Sequence, residues 1–175
     1  MKKYTILATL MLLAIGLGSF QYWAIGQQET ATATIGPVSD GLNVTPGTPT
    51  IINNPRPWRP FGLGCETQYL YNITPQANYT GNYTATLYLT NADELGSDFI
   101  YLIMNMSLQN GSTVVDSKWL GLENGRVQFK IDNVNFSSNY PAYINITGGA
   151  GNIPWWKSSG DPTDPTFVID VEEIG

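Results

Sequence analysis

The chain has 175 residues, a formal net charge of −6, 13% charged and 12% aromatic side chains, a single cysteine and no histidine. That length suits one domain able to bury a real core. The missing imidazole excludes Ser-His-Asp and Cys-His pairs, HExxH zinc sites and His proton shuttles, and eight Lys+Arg against fourteen Asp+Glu leave too little positive charge to track nucleic-acid phosphates.

The N-terminus reads as an export signal. Lys2 and Lys3 precede an apolar stretch from Ile6 to Leu17, followed by Gly18, Ser19 and a mixed segment to Ala24-Ile25-Gly26, the three-part pattern of a secretory signal peptide. Small residues at Ala24 and Gly26 suit the −3 and −1 positions, so cleavage is expected after Gly26, with the mature chain starting at Gln27. The alternative is a retained anchor, since Ile6 to Ile25 supplies about twenty largely apolar residues, enough to span a bilayer. Prepilin-type processing would want a Gly after the Lys pair, where Tyr4 stands. Removal of residues 1–26 leaves six basic and fourteen acidic residues, a net charge of −8. Membrane contact is expected only through the signal segment before cleavage. One cysteine, Cys65, cannot form an intrachain disulfide; it is a buried thiol, an intermolecular bridge or an incidental surface residue.

Residues 27–36, QQETATATIG, form a β-prone alternating segment with Ala31, Ala33 and Ile35 on one face and Thr30, Thr32 and Thr34 on the other. It reads as a strand with no local partner, the alternative being an edge strand folded back onto its own domain. The stretch 37–64 holds Pro37, Pro46, Pro49, Pro55, Pro57 and Pro60, residues that cannot donate to a ladder, and reads as a stiff tether.

From 65 to 175 the chain reads as an all-β, two-sheet sandwich. Short runs rich in Thr, Tyr, Val, Ile and Phe are separated by Gly, Asn, Pro and Asp clusters. Candidate strands lie at 67–73, 82–90, 98–109, 112–118, 126–132, 141–147 and 166–173. Tyr83, Ala85, Leu87 and Leu89 alternate with Thr84, Thr86, Tyr88 and Thr90, and Val127, Phe129 and Ile131 with Gln128, Lys130 and Asp132, as half-buried strands require. The apolar run from Phe99 to Met106 suggests a central strand covered on both faces. Asn110-Gly111 and Asn124-Gly125 are type I′ hairpin signals, expected to join 98–109 to 112–118 and 119–123 to 126–132.

Eight of the fifteen asparagines stand in Asn-X-Ser/Thr sequons: Asn43, Asn72, Asn78, Asn82, Asn105, Asn110, Asn135 and Asn145. Composition alone would place roughly two or three there by the acceptor rule. The excess points to a glycosylated surface protein carrying N-linked glycans.

A set of these features resembles the TasA/camelysin-like fibre proteins and the archaeal bundling pilins related to them. It comprises a signal ending near Trp23-Ala24, a short Thr/Ala-rich strand soon after, and Tyr71-Asn72-Ile73-Thr74-Pro75-Gln76 leading into the strand Tyr83 to Asn91. Phe99-Ile100-Tyr101-Leu102 and a closing strand at Phe167-Val168-Ile169-Asp170-Val171 complete it. The resemblance implies a jelly-roll-like sandwich that polymerises by donor-strand complementation, the N-terminal strand of one subunit completing the sheet of the next. It implies a homopolymer, an extracellular cell-surface filament of the pilus or biofilm type, and possible lateral contacts between filaments.

Other constellations are weaker. Asp93, Glu94 and Asp98, and Asp161 with Asp164, lack the spacing of a calcium loop and read as solvated turn acids. Trp155-Trp156 could stack sugars, but large aromatics more often pack in cores or between subunits. No catalytic set, metal or cofactor is expected, and the chain is read as a structural protein and not an enzyme. The competing readings are a monomeric carbohydrate-binding or adhesion module, and an S-layer or tubular-sheath subunit.

Overall fold

The computed structural model describes residues 28–53, 61–63, 68–76, 81–131, 141–154 and 163–174. The signal-peptide expectation, with Gly26 and Gln27, therefore lies outside the described residues, as do Cys65, Asn78, Asn135, Trp155 and Trp156.

Among the described residues twelve strands and one short helix follow in order: β1 (Gln28–Thr30), β2 (Thr32–Val38), β3 (Leu42–Pro46), β4 (Thr50–Asn53), β5 (Phe61–Gly62), β6 (Tyr71–Pro75), β7 (Asn82–Leu89), α1 (Ala92–Asp98), β8 (Tyr101–Asn110), β9 (Thr113–Gly121), β10 (Arg126–Ile131), β11 (Ala142–Asn152) and β12 (Thr166–Ile174). They form a β-sandwich. One sheet has the order β10-β7-β12-β2, and the other β3-β6-β11-β8-β9, with β5 added on β11; β1 and β4 pair separately. At one side of the sandwich β2 lies beside β3, and at the other β10 lies beside β9.

The alternating segments behave as their period demands. β7 buries Tyr83, Ala85, Leu87 and Leu89, and β10 buries Val127, Phe129 and Ile131. Side chains two apart share a face, so these residues meet Phe167, Ile169 and Val171 of β12 in one core with Tyr71, Ile73, Met104, Met106 and Ile144 of the second sheet. The register of β7 with β10 runs unbroken from Arg126↔Tyr88 to Ile131↔Tyr83.

Four expectations are corrected. The stretch 37–64 is not a tether over its described residues: β3 pairs with β6, β4 with β1 and β5 with β11. Its prolines fit because Pro46 ends an edge strand and Pro37 sits at an irregularity of another, positions where a missing N–H costs little. Second, Asn110-Gly111 makes the expected β8–β9 hairpin, but Asn124-Gly125 does not join paired strands, since β9 and β10 belong to different sheets. Both glycines have positive φ, 57° and 56°. At the second turn the Asn124 side chain accepts from Gly121 N–H (2.7 Å) and donates to the Trp119 carbonyl (2.8 Å), building a corner between sheets.

Third, the run from Phe99 to Met106 is covered on one face only: Ile100, Tyr101 and Ile103 are exposed while Leu102, Met104 and Met106 are buried. Fourth, the strand expected from 98 starts later, because Ala92–Asp98 is helical, with Asp93 and Glu94 in the first turn and Leu95 buried. Acidic side chains there favour the positive end of the helix dipole.

Candidate assembly site at the N-terminal strand

The segment singled out in the sequence, Thr30 to Ile35, is not free in this structure. It takes the alternative place of an edge strand on its own domain, β2 lying along β12. This is the one parallel pairing among the described strands; the other ladders are antiparallel.

Three successive N–H groups at the β1–β2 junction find three different acceptors. Thr30 N–H donates to Asp164 Oδ1 (2.8 Å), Ala31 N–H to the Pro49 carbonyl (2.8 Å) and Thr32 N–H to the Pro165 carbonyl (2.9 Å). Ala31 is fully buried between them. The loop that supplies Asp164 and Pro165 is itself held by the ends of α1. Asn91 donates to the Asp164 carbonyl and accepts from Thr166 N–H, and the Asp98 carboxylate accepts from Thr163 N–H and Oγ1. Asp98 and Asp164, read from the sequence as solvated turn acids, here accept backbone N–H groups, Asp98 also a hydroxyl. Among the described residues no group of three or more His, Cys, Asp or Glu could hold a metal ion.

Further along, the Tyr71 hydroxyl, from β6 of the opposite sheet, crosses the core and donates to the Thr34 carbonyl (2.9 Å). Tyr71 is fully buried, and burial raises its pKa well above the ordinary tyrosine value. Thr34 Oγ1 donates to the Phe167 carbonyl (3.1 Å). Beyond the strand, Ser39 N–H donates to the Val171 carbonyl and Ser39 Oγ accepts from Glu173 N–H. Ser39, Asp40 and Gly41 alone connect β2 in one sheet to β3 in the other.

The face assignment of this strand is only half as expected. Ala31 is buried and Ala33 packs on the core, but Ile35 is 43% exposed and Val38 packs inward in its place. A bulge accounts for the inward Val38: Ile35 pairs with Ile169 and Val38 with Val171, so Gly36 and Pro37 together oppose Asp170. An extra residue reverses the side-chain alternation beyond it. Thr32 and Thr34 face outward and are exposed, and Thr30 is half-buried.

The sequons scatter over both sheets. Asn43 on β3 is exposed; Asn72, Asn82, Asn105, Asn110 and Asn145 are half-buried. Asn145 Nδ2, the atom a glycan would take, donates to Gln109 Oε1 (2.7 Å), and Oδ1 of Asn72 and of Asn145 is buried with no partner. The sequence missed the anchors Tyr71, Asp164 and Asn91. Only spacing in the folded chain brings them to β2, so no local pattern could have revealed them.

The chain matches no protein-family profile and no curated protein.

Proposed function

We propose that the chain is a secreted structural subunit of an extracellular filament, with a jelly-roll-like sandwich and assembly by donor-strand complementation. In this reading, β1–β2 of one copy leaves its own groove and fills the same groove of the next. The observation that carries it is the parallel docking of β2 on β12 at the edge of an otherwise antiparallel sheet. An edge strand held chiefly by main-chain bonds can be exchanged for an identical strand from another copy with the same contacts remade.

Two features support exchange over permanent self-docking. The connection from β2 to β3 is Ser39-Asp40-Gly41, and short hinge loops between elements of different sheets favour swapping over closure. Donor and acceptor are also different surfaces, so the contact is heterologous and builds open chains of subunits instead of closed rings. A linker of three residues reaches about 10 Å at most, which would hold consecutive subunits close.

In this account the protein does no chemistry, its partners are further copies of itself, and N-linked glycans decorate exposed sequons such as Asn43. One observation favours lateral contacts as well, as in a bundle or sheath: Tyr101, Ile103 and Trp119 leave an apolar strip on the outer face of β8 and β9. Negative-stain microscopy of the purified mature chain, with and without residues 27–36, tests the proposal. Long fibres that vanish on deletion support it. Fibres that persist without the segment overturn the donor assignment, isolated particles from both chains favour a monomeric module, and lattices or tubes favour a sheath.

A further inference from the structure

An exchanged strand must enter its groove in one register, and main-chain bonds alone do not choose one. Asp164 would accept any N–H placed at the position of Thr30, and Tyr71 would donate to any carbonyl at the position of Thr34. A shift of two residues keeps every side chain on its face and is the error the ladder resists least.

Gly36 and Pro37 are placed to resist it. Together they oppose the single residue Asp170, and the fit at Gly36 is closed: an added Cβ would overlap Asp170 Oδ1 and stand 3.1 Å from the Ile169 carbonyl and 3.2 Å from Val168 Cγ1. A two-residue shift would bring Thr34 or Val38, both with branched side chains, against that surface. It would also carry Pro37, which has no N–H, out of the bulge and into a ladder position. At the other end, a shift in one direction sets Glu29 in the fully buried place of Ala31, whereas the opposite shift sets Ala33 there, which fits, so against that shift only the bulge acts.

We infer that the Gly36–Pro37 bulge is the register determinant of strand capture, so that the groove selects the N-terminal segment of a second copy by where that bulge falls, with the buried place of Ala31 opposing only the shift that would bring Glu29 into it. The partner is thus a second copy of this chain, and the inference rests on the strand-exchange reading above. The bulge acts wherever β2 docks, within a chain or between chains.

The test measures register separately from exchange. In a C65S background, T34C is combined with V168C, its partner in the observed register, and in a second protein with T166C, which reports a two-residue shift. After mild oxidation of the full mature chain, non-reducing gels give the yield of each bond, counting products of monomer mobility and ladders alike. With the native bulge, the 34–168 bond should exceed the 34–166 bond by roughly tenfold, and replacing the bulge with G36A/P37T should bring the two within about threefold. P37A, which keeps Gly36 but restores a donor, should shift the ratio in the same direction, so the test survives a fold lost to crowding at residue 36. Ratios unchanged in both variants would overturn the inference. The share of ladder in the native-bulge protein reports exchange, and its absence would count against the strand-exchange reading while leaving the register ratio to be read from the monomer.

Discussion

The two edges of the four-stranded sheet are built to different rules. β10 joins β7 antiparallel, in unbroken register over six residues, and its burial alternates cleanly. Lys118 of β9 closes over it, with Nζ 5.5 Å from the centre of the Phe129 ring and bonded to the Gln128 carbonyl, while pairing with Asp116 at 3.4 Å. β2 joins β12 parallel, carries a bulge, leaves Ile35 in solvent, and depends on Ala31, Asp164 and Tyr71 for its seat. An edge fixed by side chains in the core belongs to its own domain. The edge fixed by backbone bonds and a few anchors is the one we propose is exchanged between copies.

That contrast can be broken at each edge. The largest effect is expected on the β10 side: F129A removes a fully buried ring and should cost about 3–5 kcal/mol of global stability, read from the urea midpoint. On the β2 side, A31L overfills a closed position and should cost about 1–3 kcal/mol. The loss should fall on the N-terminal strand, so limited proteolysis should cut around residues 28–38 well before the sandwich unfolds. If both variants simply lower one common transition, the two edges are equivalent and the contrast fails.

Y71F removes the hydroxyl that reaches the Thr34 carbonyl and should cost about 1 kcal/mol. It also gives a pH signature. Burial raises the folded-state pKa of Tyr71 above its unfolded value of 10.0, so the folded chain holds that proton more tightly. The stabilisation is complete below pH 10 and is lost as the pH climbs further. Wild-type stability should therefore fall more steeply than that of Y71F between about pH 10 and 12; parallel curves would remove Tyr71 as an anchor. The smallest effect is expected for I35S, within about 0.5 kcal/mol because the side chain is exposed.

How far the sequence revealed this arrangement depended on period and partner. β7 and β10 were readable because strict alternation over Tyr83–Leu89 and Val127–Ile131 has one structural meaning. The Asn110-Gly111 hairpin was readable from its turn chemistry. Asn124-Gly125 misled for a physical reason: the same positive-φ glycine that closes a hairpin also turns a corner, and only the pairing of β10 with β7 decides between them. β3 and β4 were hidden by prolines at their margins, and α1 by its brevity. At the N-terminal edge the strand itself was visible, from its Thr/Ala alternation, but not its docking partner, because the anchors come from residues 71, 91 and 164.

We propose that β2 fills the groove of a neighbouring copy. This exchange is tested most directly by where the bond between residues 34 and 168 forms. T34C/V168C in a C65S background, oxidised after the mature chain has been left to assemble, should give a ladder of linked subunits on a non-reducing gel that collapses to one band on reduction. A single product of monomer mobility under the same conditions would mean that each chain keeps its own strand, and would contradict assembly by exchange.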